Sequence, residues 1–150
     1  MKILGTTVTS SLSWDENCSE IITKVNRRMA LIRNLQKFGA TIQELVHLWI
    51  TFCRSVLEQS CILWHNTLTQ ENETDLERTQ KTFAKLVLKN QYRSYPQALI
   101  KLNLLPLSER RKQLCLNFAT SGVENNSLSD LLRKNDKKYK MSKRKKELIK

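Results

Sequence analysis

Four cysteines, two histidines and fourteen carboxylates are the side chains with which this chain could do chemistry, and their spacing decides which chemistry is open to it. Cys18, Cys53, Cys61 and Cys115 contain no CxxC pair and match neither zinc-finger nor redox spacing. Cys61 and His65 lie four apart and would share a helix face, with Cys53 two turns earlier. A metal there would need further ligands, and the neighbours Leu57, Ile62, Leu63 and Trp64 are apolar, so free, buried, reduced thiols are expected and no metal is assigned. Two-metal phosphoryl transfer needs carboxylates held close together on rigid elements. No Asp-Asp pair occurs; Asp15, Asp75, Asp130 and Asp136 are scattered. There is no GxxxxGK[ST], HExxH or GxSxG, and His47 and His65, in and at the end of an apolar helix, read as structural. The chain is expected to hold no catalytic residue and no cofactor.

The other chemical resource is charge. There are 26 Lys and Arg against 14 Asp and Glu, a net charge of +12. Most of the excess sits in residues 133–150, where ten basic side chains face two acids, Asp136 and Glu147. Such a run is either a solvated, extended tail or an electrostatic contact for nucleic acid, and composition leaves both open. Only 3 Gly and 2 Pro argue against a turn-rich β fold, and 40% hydrophobic residues argue against disorder in the body. No apolar run approaches the roughly 18 to 20 residues of a membrane span, and the basic-then-apolar pattern of a secretory leader is missing from the first residues. An intracellular protein, nuclear or cytoplasmic, is expected, without a membrane partner.

The elements that must carry these residues are mainly helical. Residues 2–9 are β-branched and strand-like; a single strand cannot satisfy its own backbone groups, so its partners are expected outside this sequence. Ser13 and Glu16 form a capping-box pattern, followed by an apolar stripe at Cys18, Ile22, Val25, Met29, Ile32 and Leu35. Gly39 stops that helix. Thr41 and Glu44 repeat the capping pattern and open a second helix to about Trp64, apolar nearly all round and expected to be the central element, with Arg54 and Glu58 spaced to pair. A third helix starts after Thr69. A short fourth follows Ser94, with Pro96 in its first turn, and a fifth begins near Leu107 and ends near Gly122. The reading is therefore mainly α: a terminal strand over 1–12, a bundle of about five helices over 13–122, and a linker with a basic tail over 123–150.

An ordered set of stretches in this chain is similar to one family. They are Lys2-Ile3-Leu4-Gly5 with Ser11-Leu12-Ser13-Trp14; Asn26-Arg27-Arg28 with Leu35-Gln36-Lys37-Phe38-Gly39; Arg54-Ser55-Val56-Leu57-Glu58 with Trp64-His65; and Leu76-Glu77-Arg78-Thr79-Gln80-Lys81. Ser94-Tyr95-Pro96-Gln97-Ala98-Leu99 and Leu105-Pro106-Leu107-Ser108-Glu109-Arg110-Arg111 continue the order. Together they resemble the reverse transcriptases (RNA-directed DNA polymerases) of jockey-like non-LTR retrotransposons, over about residues 2 to 120. The resembling region is the one after the catalytic palm: a last palm strand, then the helical thumb. Thr6, Gln59, Ile62-Leu63 and Thr79 depart from the family pattern and suit a copy drifting under weak constraint.

The resemblance implies a fragment without the Tyr-x-Asp-Asp metal site of its transposable-element relatives, and hence no polymerase activity of its own. It implies a thumb-like role, sequence-independent contact with the backbone of a DNA or RNA template–primer duplex, and a palm and fingers polypeptide as a further partner. The candidate contacts are Lys24, Arg27, Arg28 and Lys37 on the first helix; Arg110, Arg111 and Lys112 on the fifth; and Lys143, Arg144, Lys145 and Lys146 in the tail. The alternative is a remnant without function, or a helical protein-interaction module.

Overall fold

The computed structural model describes residues 2–3, 6–9 and 13–124, with backbone alone at 2–3 and 123–124. The tail, with Lys143, Arg144, Lys145 and Lys146, and nearly all of the linker lie outside the described residues. Among those residues the protein is helical apart from its N-terminal segment. Lys2–Ile3 (β1) and Thr6–Thr7 (β2) are extended and pair with each other, antiparallel, with Lys2 opposite Thr7 and Ile3 opposite Thr6. The expected strand therefore finds its partner within itself. Thr7 N–H also donates to the buried Asn17 Oδ1 at 3.1 Å, which seats the segment on the first helix.

That helix, α1, runs Asp15–Lys37. Its start differs from the expected capping box. Trp14 is the N-cap, and Ser13 Oγ accepts from Asp15 N–H at 3.2 Å and donates to the Asp15 carboxylate at 2.6 Å, so Glu16 takes no part. Cys18, Ile21, Val25, Met29 and Ile32 are buried at 3- and 4-residue steps, the period of a one-sided helix. Gly39, at φ +89°, turns the chain where a side chain would be strained.

The second helical rod departs from the expectation in two ways. It comprises α2 (Ile42–Leu48), a wider π-turn over Trp49–Arg54, and α3 (Ser55–Glu58). Leu45, Trp49, Cys53 and Leu57 are all buried. A constant stride of four drifts around an α-helix by about 40° per step, because 3.6 residues complete a turn. The wider π-turn absorbs that drift and keeps all four on the core side. The rod then breaks at Gln59–Ser60, with Ser60 in the left-handed region at φ 54°, before the single turn α4 (Cys61–Trp64). The break brings Cys61 and Trp64 inward together, and Trp64 Nε1 donates to the Gln59 carbonyl at 3.1 Å. At the rod's start the Thr41 cap forms as its sequence pattern requires: Glu44 N–H donates to Thr41 Oγ1 at 3.3 Å and Thr41 N–H to Glu44 Oε2 at 2.8 Å.

Helix α5 (Gln70–Leu88) is capped by Thr69 Oγ1, which accepts from Asn72 N–H at 3.2 Å. It lies parallel to α1: Asn72 Nδ2 donates to Asp15 Oδ1 at one end, and Gln36 Nε2 donates to the Leu86 carbonyl at the other, at 2.6 and 2.9 Å. Helices α6 (Tyr95–Leu102) and α7 (Leu107–Glu124) follow. One continuous core joins these elements, with Trp49 stacked on Phe83 at 4.5 Å between ring centroids. The chain divides into two compact units, residues 1–117 and 118–150; the described part of the second is the end of α7. Among the described residues no helix is long and apolar enough to cross a membrane.

Candidate nucleic-acid interface

Among the described residues, the basic side chains of α1 and α7 expected to contact nucleic acid do not form one surface. On α1, Arg27 and Lys37 are exposed, while Lys24 and Arg28 are half-buried. Arg28 is committed elsewhere. Its guanidinium donates to the Phe52 carbonyl and lies over the Phe52 ring, 4.3 Å from the centroid, tying α1 to the π-turn. Lys24 and Lys37 are separated by about 20 Å of helix rise and point to different sides, so one strand of backbone cannot meet both in register.

The Arg110-Arg111-Lys112 cluster disperses for a reason that lies in helix geometry: consecutive residues project about 100° apart. Lys112 is exposed. Arg110 Nε sits 3.2 Å from Glu58 Oε1, and Arg54 Nε approaches the same oxygen at 3.3 Å, so one carboxylate of the second rod holds two guanidinium groups. Arg111 corrects the expectation outright. It is 0% exposed and cannot reach a phosphate. Its guanidinium faces Trp64, 5.8 Å from the ring centroid, and none of its three nitrogens has a hydrogen-bond partner. Burial lowers its pKa, opposed by the charges of Glu77 and Glu73.

Among the described residues, the most connected polar site is one that sequence patterning did not single out. Gln80 is fully buried; its Oε1 accepts from Trp49 Nε1 at 3.3 Å, and its Nε2 donates to Tyr95 Oη at 3.1 Å and to the Leu105 carbonyl at 2.8 Å. Tyr95 Oη in turn donates to Glu77 Oε1. The Glu77 carboxylate accepts the Leu107 and Ser108 backbone N–H groups at 3.1 and 3.3 Å, capping α7 from another helix. Burial, then the hydrogen bond to Glu77, pushes the Tyr95 hydroxyl pKa well above its ordinary value. A legible signal existed: Gln80 stands between Leu76, Phe83 and Ala84 on an apolar stripe, where an amide must find buried partners.

The cysteines are free; Cys18, Cys53 and Cys61 are buried and Cys115 is half-buried. Burial raises the first three thiols from 9.0 to about 11, which keeps them protonated and unreactive at neutral pH. His65 is pushed below its ordinary pKa by burial and then by the charge of Arg111. Among the described residues no group of three or more His, Cys, Asp or Glu is placed to hold a metal ion. Comparison with protein-family models, with curated proteins and with solved structures gave no match in any of the three.

Proposed function

We propose that this chain is a thumb-like region of the jockey-like reverse transcriptase lineage, and that its remaining activity is sequence-independent binding of a nucleic-acid duplex. The observation that carries the reading is where the resembling stretches meet. Glu58 and Trp64 come from one, Glu77 and Gln80 from a second, Tyr95 from a third, and Leu107 to Arg111 from a fourth. They converge on the Glu58–Arg110 pair, the Gln80–Tyr95–Glu77 chain and the Trp64–Arg111 contact. In this reading the shared residues mark a common way of locking helices together, and the chemistry of the family belongs to a Tyr-x-Asp-Asp site whose Asp-Asp pair this sequence does not contain.

The binding follows from a net charge of +12 and needs no base-reading side chain. It is tested by titrating a labelled RNA–DNA hybrid with the full chain over a range of salt. Affinity is expected to fall linearly in the logarithms, with a slope of about −0.9 for each phosphate contact. Absence of binding at low salt refutes it. In a primer-extension assay with divalent metal, no nucleotide is expected to be incorporated.

A second reading, a remnant or helical interaction module, is favoured by exposed apolar side chains. Phe38 is 88% exposed beside a groove lined by Leu35, Ala40 and Leu48, and Ile100 is 81% exposed. Aggregation of purified protein, together with failure to bind the hybrid, is the result that selects it.

A further inference from the structure

The charge of the helical body is segregated in a way its modest sum conceals. Glu71, Glu73, Asp75 and Glu77 fill the first two turns of α5. From residue 78 to residue 108 there is no acid at all, and six basic residues: Arg78, Lys81, Lys85, Lys89, Arg93 and Lys101. The fold displays this run rather than dispersing it. Arg78, Lys81 and Lys85 are spaced 3 and 4 apart, so they share the solvent face of α5 over about 10 Å, and Lys89 follows where the helix ends. All four are exposed, as is Arg93 in the turn beyond. Arg78 pairs with Asp75 at 2.7 Å, whereas Lys81, Lys85 and Lys89 are in no ion pair among the described residues. The Lys85 ammonium lies 5.7 Å from the Tyr92 ring centroid, which leads the row toward Arg93.

A helix macrodipole favours cations near a C-terminus, and that accounts for Lys85 and Lys89 in part. It does not account for Lys81, a full turn earlier, or for Arg93, outside the helix. Lys89 carries a second observation. It closes α5 at φ 47°, ψ −120°, a conformation that glycine adopts freely and that strains a residue with a Cβ. The end of α1 uses Gly39 for its turn, at φ +89°. At the end of α5 a positive charge stands where backbone preference asks for glycine.

We infer that the α5 face from Lys81 to Lys89, continued by Arg93, is the surface that holds the phosphate backbone of a nucleic-acid strand. This rests on the nucleic-acid reading above and assigns it to residues other than the candidates on α1, on α7 and in the tail. Recognition is by charge alone: a row of cations along a rigid helix, with no group placed to read bases.

The test uses the full chain and a labelled RNA–DNA hybrid, with affinity measured against salt. One variant carries Lys81→Gln, Lys85→Gln and Arg93→Gln, all exposed positions whose change leaves the core intact. It is expected to lose about tenfold or more in affinity and to flatten the salt slope by roughly 2 to 3. A comparison variant replaces Lys143, Arg144, Lys145 and Lys146 with Gln. If the α5 variant binds like the unchanged protein while the tail variant loses affinity, this assignment is overturned and the nucleic-acid function stands. If the unchanged protein shows no salt-dependent binding, both are overturned. Lys89→Gly supplies an independent readout. It is expected to weaken binding while leaving the melting temperature equal or higher; undiminished binding, or a lower melting temperature, refutes the role given to Lys89.

Discussion

Replacing Gln80 with Leu tests the packing logic of this protein most directly. The side chain is fully buried and makes three hydrogen bonds, so the consequences can be taken partner by partner. Trp49 is itself fully buried, and its indole N–H would lose Gln80 Oε1 as acceptor; an unsatisfied buried donor costs about 1 to 3 kcal/mol. The Leu105 carbonyl belongs to an exposed residue and can turn to water, so its loss is nearer the net worth of one hydrogen bond, about 1 kcal/mol. Tyr95 keeps Glu77 as its acceptor and loses little. The leucine recovers some of this through apolar burial, and the sum is a loss of about 2 to 3 kcal/mol. For a body of this size the melting temperature should fall by roughly 10 °C. Thermal and urea melts of Gln80→Leu, of Trp49→Phe and of the double variant measure the effect. Because the double variant no longer buries an orphaned N–H, the two changes should couple by about 1 kcal/mol or more. A Gln80→Leu protein as stable as the parent, or strictly additive variants, would refute the assignment of Gln80 as the polar joint between the second rod, α5 and α6.

Three other expectations follow from how far single side chains are buried. Arg111→Met removes a buried guanidinium that has no hydrogen-bond partner, so stability should be unchanged or rise by about 1 to 2 kcal/mol, with duplex binding unaltered; a loss above about 1 kcal/mol in a urea melt refutes this. The thiols set an alkaline limit. Cys18, Cys53 and Cys61 ionise at about 11 in the folded protein against 9.0 in the open chain, so the native state holds their protons more tightly. The stability this contributes is complete below pH 9.0 and is lost as pH rises toward 11, which urea melts across that window will follow. In a thiol titration at neutral pH, the half-buried Cys115 should react first and the other three only on unfolding.

Much of the fold is legible before any coordinates. The low Gly and Pro counts and the stripes at Cys18–Val25–Met29–Ile32 and Leu76–Phe83–Val87 each depend on local backbone period, and the helices form where those patterns run. The Thr41–Glu44 and Thr69 caps form because they need only residues within one turn. Ser13–Glu16 has the same pattern and does not form; there the chain enters α1 with Asp15 bonded to Ser13 and to Asn72 of another helix. The break at Gln59–Ser60 is not legible in the sequence, because nothing in its residue types forbids a continuous helix. It exists to aim Cys61 and Trp64 at a core that other helices complete.

The candidate site divides along the same line. Sequence by itself determined that the chain is basic, that it contains no Asp-Asp pair, and that its positive residues come in groups, because these are properties of residue type and order along the chain. It could not determine which of those residues meet solvent. Arg27, Arg28, Arg110 and Arg111 are one residue type at adjacent positions, yet one is exposed, one stacks on Phe52, one pairs with Glu58, and one is buried against Trp64. Their partners lie 24 residues or more away along the chain, and only the packing of helix on helix decides whether a guanidinium is a surface charge or part of the interior.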